Sequence, residues 1–298
     1  MSFTPGPDED LCRQITRQYG TTYYWGARIL PPRQRYDVYA VYSLCRSADD
    51  IVDAPGATSA DAQTVAATQE ALTAFAEDFG RAMRGERSAH PVIRASAETA
   101  RRREIDPECF DRFFAAMAMD LTQDSYRTFE DLMGYMDGSA AVIGEMMLPV
   151  LRPTDARALG PARDLGVAFQ LTNFLRDFAE DRDLGRTYLP LADLERFGVP
   201  RDVDAPTPQF AALMSFEIAR TRELYRSAQE GLAYLPATSA RCVQTARGLY
   251  ARILDLIEDA DYDVFSGRLR LPTWRKAGYA ARLMLTPPRA LPGGGGTG

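Results

Sequence analysis

Apolar residues recur at helical spacing through almost the whole of this chain, and no stretch shows the clean alternation of a half-buried strand. Tyr36, Tyr39, Ala40, Ser43 and Leu44 follow one another at steps of three and four, and Ala48 and Ile51 continue the stripe. A second stripe runs through Leu165, Ala168, Phe169, Leu171, Thr172, Leu175 and Phe178, and a third through Leu249, Ile253, Leu256 and Ile257. No Gly-rich turn joins a strand to a helix, so a nucleotide-binding α/β fold is not expected. Breaks fall at Ala54-Pro55-Gly56, Arg84-Gly85-Glu86-Arg87, Leu151-Arg152-Pro153 and Asp204-Ala205-Pro206-Thr207-Pro208. None has the length of an interdomain linker. The pattern predicts one all-α domain over residues 8–285, a helical bundle, followed by a disordered Pro/Gly-rich tail over 286–298.

With 298 residues, 46% of them hydrophobic, the chain can bury a large core. Its formal charge of −6 argues against nucleic acid as a partner, since phosphate backbones call for a basic surface. An acidic protein that handles a phosphorylated substrate needs a cation to mediate. Lys276 is the sole lysine among 35 basic residues, a bias that genome base composition explains. The sole histidine, His90, rules out a His-rich zinc site and reads as a solvated loop residue. Cys12, Cys45, Cys109 and Cys242 are scattered without a CxxC pair, which predicts free thiols in a reducing compartment. The first residues, Met-Ser-Phe-Thr-Pro-Gly-Pro, lack a basic region followed by an apolar core, so no signal peptide is expected. The longest nearly apolar run, Ser139 to Leu151, is interrupted by Glu145 and falls well short of the ~20 residues of a membrane span. These features predict a cytoplasmic protein.

Two acidic helix faces carry the chemistry. In Arg46-Ser47-Ala48-Asp49-Asp50-Ile51-Val52-Asp53, Asp49 and Asp53 stand one turn apart. In the segment from Asn173 to Asp181, the residues Asn173, Asp177 and Asp181 share a face, while Phe174 and Phe178 turn about 100° away toward the core. Like charges at this spacing cost a helix a few tenths of a kcal/mol, roughly, unless a cation lies between them. Hard divalent ions take carboxylate oxygens, and magnesium commonly bridges one or two carboxylates to a substrate phosphate. Two such faces across a cavity suit a diphosphate, and each lies beside an arginine.

In ordered blocks, the chain resembles the squalene/phytoene synthase family, its bacterial phytoene synthases above all. The blocks are Tyr23-Tyr24-Trp25-Gly26-Ala27-Arg28-Ile29-Leu30-Pro31-Pro32 and Tyr39-Ala40-Val41-Tyr42-Ser43-Leu44-Cys45-Arg46; Asp120-Leu121-Thr122 with Tyr126 and Thr128 to Leu132; and Tyr135 ahead of Ser139 to Gly144. The longest is Gln170-Leu171-Thr172-Asn173-Phe174-Leu175-Arg176-Asp177-Phe178-Ala179-Glu180-Asp181, continued by Gly185-Arg186-Thr187-Tyr188-Leu189-Pro190. The resemblance spans about Tyr19 to Lys276 and departs at Ser139-Ala140-Ala141 and at Thr22-Tyr23-Tyr24.

This resemblance implies a single helical bundle around a deep cavity and a magnesium-dependent prenyltransferase, with manganese as an alternative ion. It assigns Asp49, Asp53, Asp177 and Asp181 as metal–diphosphate ligands, with Asn173 and Gln170 lining the same mouth. Arg46, Arg176, Arg186 and Arg268 become diphosphate partners, for which a fixed guanidinium fork is suited. Tyr135 and Tyr250 become candidates for cation stabilisation or proton handling, with Asp49 and Asp177 beside them in the reaction. Tyr23 and Ala27 are expected to contact the substrate chain; a small Ala27 would leave room for a C20 chain. The implied reaction joins two geranylgeranyl diphosphates head to head through a cyclopropyl diphosphate to give phytoene, without NADPH. The alternatives are a C15-specific member making dehydrosqualene, presqualene diphosphate or squalene, and a non-catalytic isoprenoid-binding paralogue. Lipid substrate and product imply peripheral membrane contact and downstream carotenoid enzymes as partners.

Overall fold

A computed structural model describes residues 3–53, 62–267, 269, 278 and 282. Arg268, the 286–298 tail and the Ala54-Pro55-Gly56 break lie outside the described residues. Among the described residues the chain forms thirteen α-helices and no strand. They are α1 (Pro7–Tyr19), α2 (Thr21–Ala27), α3 (Pro32–Val52), α4 (Ala62–Met83), α5 (Pro91–Arg103), α6 (Pro107–Met119) and α7 (Phe129–Met136). After a π-helical turn, Asp137–Ala141, come α8 (Val142–Leu151), α9 (Leu159–Arg176), α10 (Phe178–Asp183), α11 (Leu191–Phe197), α12 (Pro208–Glu230) and α13 (Ala237–Asp259).

Local chemistry explains the boundaries. Proline opens α1, α3, α5, α6 and α12, where its missing N–H costs nothing. Thr128 and Asp131 form a capping box at the start of α7, and Thr207 caps α12. The breaks read at residues 84–87, 151–153 and 204–208 all separate helices. Inside α8, Pro149 cannot donate to the helix ladder. Side chains cover the carbonyls that follow it: Gln34 Nε2 donates to the Val150 carbonyl at 2.8 Å, and Ser239 Oγ to that of Leu151 at 2.7 Å.

The central helix is α9, flanked by α8, the π-turn, α12 and α13. Close approach is enforced by glycine. A Cβ on Gly166 would stand 2.2 Å from the Ala140 carbonyl oxygen, and one on Gly144 would stand 2.1 Å from that of Ala162. On the far side of the π-turn, a Cβ on Gly138 would meet the Arg112 carbonyl oxygen at 2.5 Å. The turn is therefore held from both flanks, by α6 and by α9. An ion network braces it as well: Arg112 pairs with Asp137 and Glu145, and Arg163 bridges the same two acids.

All four cysteines are free and buried, as the spacing predicts. His90 is the exposed N-cap of α5, its ring edge-on to Phe75 at 5.4 Å. No helix among the described residues is long and apolar enough to cross a membrane.

Candidate active site

The first aspartate face ends α3. Asp49 lies in its last turn, and Asp53 is its C-cap, tied on by a 2.8 Å bond from the Asp53 N–H to the Asp49 carbonyl. The second face crosses a helix break. Asp177 leaves helical geometry (φ −100°, ψ 12°) between α9 and α10. The i to i−4 ladder nevertheless continues, from Asp177 N–H to the Asn173 carbonyl at 2.8 Å and from Asp181 N–H to that of Asp177 at 2.9 Å. Asn173, Asp177 and Asp181 thus keep the spacing read from the sequence, and Phe174 and Phe178 are buried.

Two segments hold the faces together. The loop after α6 and the loop after α10 meet at Thr187, whose N–H donates to the Asp124 carbonyl at 2.7 Å. That junction sets Arg186 between the faces. Its Nη1 donates to Asp53 Oδ1 at 3.3 Å, its Nη2 to the Asp120 carbonyl at 3.3 Å, and its own N–H to the Asp181 carbonyl at 2.9 Å.

Crowded carboxylates bear the electrostatic cost. Burial, reinforced by Asp53, pushes Asp49 up to about 7. Burial followed by the charge of Asp177 pushes Asp181 up to about 8, against the pull of Arg186. Asp120, missed as a site residue at the sequence level, is pushed by burial to about 6 against the lowering effects of the Tyr135 hydroxyl and Arg186.

The arginines are engaged with acids. Arg176 forks onto Asp177, Nε to Oδ1 at 2.7 Å and Nη2 to Oδ2 at 2.5 Å. Arg46 bonds Asp50 and lies 4.9 Å from the Tyr19 ring centroid, while its buried Nε has no partner among the described residues.

Below this mouth lies an apolar cavity of about 140 Å³. Gln170 and Asn173 border it at one end and Ala158, Leu151 and Leu235 at the other. From Ala158 to Asn173 the wall follows α9 for about 22 Å at ~1.5 Å per residue. Tyr23 lines it and bridges three helices, with ring centroids 5.3 Å from Tyr42, 5.7 Å from Phe169 and 5.9 Å from Tyr250. Tyr250 does not border the cavity; its ring packs tilted on Phe169 at 4.3 Å, within hydrogen-bonding reach of Tyr23 and Asn173, and burial raises its phenol. Ala27 is fully buried and does not border the cavity. Tyr135 also lies outside that lining, with its hydroxyl on Asp120 at 2.8 Å.

Among the described residues no three acidic, histidine or cysteine side chains converge as a metal site. The donors therefore suit ions held by one or two carboxylates and completed by phosphate oxygens, rather than an all-protein cage. All-oxygen donors select hard cations, and Asp49 and Asp181 stay raised because burial and neighbouring carboxylates outweigh Arg46 and Arg186.

An all-helical wall around a long apolar cavity, capped by paired aspartates and arginines, defines an isoprenoid synthase-like protein. The squalene/phytoene synthase family model matches residues 16–275, and the chain belongs to that family. Phytoene synthase of Arthrospira platensis is 36% identical over 90% of this chain and 89% of its own. The 15-cis-phytoene synthase of Synechococcus elongatus is 35% identical over 89% and 88%. A crystal structure of a dehydrosqualene synthase in complex with ligand superposes with a TM-score of 0.80 at 27% identity, covering 93% of this chain and 95% of the other.

Proposed function

We propose that this protein is a phytoene synthase, a prenyltransferase that condenses two geranylgeranyl diphosphates head to head to phytoene and releases diphosphate. The observation that carries the reading is the joining of a charged mouth to an apolar cavity about 22 Å long, estimated from the helical rise. The phytoene synthases similar over about nine-tenths of the chain support the C20 substrate.

Asp49, Asp53, Asp177 and Asp181 would hold magnesium ions together with the diphosphate oxygens. When bound, these ions supply the positive charge that stabilises the departing diphosphate. Arg186, already against Asp53, offers its guanidinium to the same oxygens, and Arg176 and Arg46 turn from Asp177 and Asp50 toward the bound anion. Asn173 and Gln170 orient the diphosphate end at the boundary between polar mouth and apolar wall.

Loss of diphosphate leaves an allylic cation within the cavity. Tyr23 and Phe169, edge to face in the cavity wall with Tyr250 packed behind them, offer ring density there and exclude water, which would otherwise quench the cation as an alcohol. The double bond of the second chain attacks, and loss of a proton closes the cyclopropane. A second ionisation opens the ring, joins the two first carbons and loses a further proton. No NADPH enters this sequence, since proton loss, rather than hydride capture, completes the product.

The test is incubation of the purified protein with magnesium and either geranylgeranyl or farnesyl diphosphate, each with and without NADPH. A C40 hydrocarbon formed without NADPH is expected. Turnover of farnesyl diphosphate alone would overturn the C20 reading, and binding without turnover would overturn catalysis.

A further inference from the structure

Tyr135 is buried in the last turn of α7, ahead of the π-turn, and donates its hydroxyl hydrogen to Asp120 Oδ2 at 2.8 Å. Asp120 is the C-cap of α6, itself only 7% exposed. Its second carboxylate oxygen is buried and makes no hydrogen bond of good geometry among the described residues, with the Tyr188 hydroxyl within reach of the same carboxylate. Burying a carboxylate here costs stability, and an apolar residue at this helix end would avoid the cost. A cost of this kind points to a role beyond folding.

Its surroundings indicate what that is. Three phenol rings pack around the carboxylate, with Tyr126 to Tyr135 at 5.2 Å, Tyr135 to Tyr188 at 6.1 Å and Tyr126 to Tyr188 at 6.3 Å between centroids. Tyr188 also faces Asp120 and stacks on Phe174 at 4.0 Å, next to Asn173. Packing thus fixes the plane of the Tyr135 ring, while Asp120 fixes the direction of its O–H. With its hydrogen committed to an anion, the phenol oxygen can only accept from what approaches it. The backbone carbonyl of the same Asp120 holds Arg186 Nη2, whose other nitrogen reaches Asp53. One residue therefore connects the phenol to the guanidinium at the mouth.

We infer that Asp120 is a positioning residue, which orients the Tyr135 hydroxyl as a hydrogen-bond acceptor and ties that orientation to the Arg186–Asp53 contact. The inference rests on the proposed condensation and on the family resemblance that makes Tyr135 a candidate for proton handling, its side chain lying beside the mouth and outside the cavity lining.

The test is a double-mutant cycle on the full chain with Asp120→Asn, Tyr135→Phe and the pair together, assayed for kcat and KM with magnesium and geranylgeranyl diphosphate, alongside thermal melts. Asp120→Asn preserves size, so it guards against a variant that simply fails to fold. Each single change is expected to lower kcat by about tenfold or more with KM within about twofold, and the double variant to fall no further than the worse single. Asp120→Glu should recover part of the lost kcat. Multiplicative losses in the double variant would overturn the inference, as would an Asp120→Asn enzyme with wild-type kcat and a lower melting temperature. If the wild type turns over neither prenyl diphosphate, the proposed function fails and the inference with it; a C40-forming wild type with an additive cycle sinks the inference alone.

Discussion

Replacing Asp181 by asparagine should make this protein more stable and less active, and the two effects should have different pH dependence. Asp181 lies in α10 with Asp177 one turn behind it, Asp53 across the mouth, and burial as the largest cause of a pKa near 8. A carboxyl raised from 3.8 to about 8 disfavours its charged form by roughly 6 kcal/mol at ~1.4 kcal/mol per unit. Water at the open mouth screens part of this, so removing the charge should give a net gain of about 1–3 kcal/mol. At about 2 °C or somewhat more per kcal/mol for a chain of this size, Tm should rise by about 2–8 °C.

The sign follows from linkage. A carboxyl whose pKa is raised on folding binds more protons in the folded state, so its stabilising protonation is complete below the unfolded pKa and is lost as pH rises to about 8. The advantage of Asp181→Asn should therefore be largest at pH 8 and shrink as pH falls to 5. Differential scanning calorimetry without metal at both pH values reads this directly. Magnesium with inorganic diphosphate should raise the Tm of the wild type more than that of the variant. Turnover should fall by about 10²-fold or more, the usual scale for losing a group that stabilises transition-state charge. An unchanged or lower Tm at pH 8, or a gain that does not shrink at pH 5, would refute the electrostatic reasoning.

Three further outcomes are expected. Chelation should abolish turnover and magnesium restore it; in calorimetric titrations, magnesium should bind far more tightly with inorganic diphosphate present than alone, because no three described carboxylates converge. Ala158→Phe, at the end of the cavity away from Asn173, should cut C20 turnover by about tenfold or more while farnesyl diphosphate is still accepted, read as the ratio of kcat/KM values. Gly166→Val should destabilise by about 3 kcal/mol or more, read by urea unfolding, because its side chain must displace the Ala140 carbonyl from a 2.2 Å approach.

The helical stripes and the breaks between them were legible because each arises from neighbouring residues: a three-to-four-residue apolar period, and Pro and Gly where it stops. The aspartate faces were legible for the same reason, since a spacing of four survives even the departure of Asp177 from helical geometry. What the sequence concealed depends on partners far along the chain. The π-turn at 137–141 needs Gly138 against α6 and Gly166 against Ala140, a clamp with no local signature. Arg46 reads as a substrate ligand, yet its nearest acid is Asp50, one turn on, so without a bound anion the guanidinium takes the adjacent carboxylate. Ala27 illustrates the opposite limit: its size is plain in the sequence, but its side chain packs away from the cavity, where Tyr23 four residues earlier faces inward. Asp120 is the hardest case. A single acid at a helix end is ordinary, and its partners, Tyr135 and Arg186, come 15 and 66 residues later. Only the junction at Thr187, which brings the loops after α6 and α10 together, turns that acid into part of the site. Periodicity thus reveals residues that meet substrate from one helix face, whereas residues that orient them emerge only when loops distant in sequence are joined.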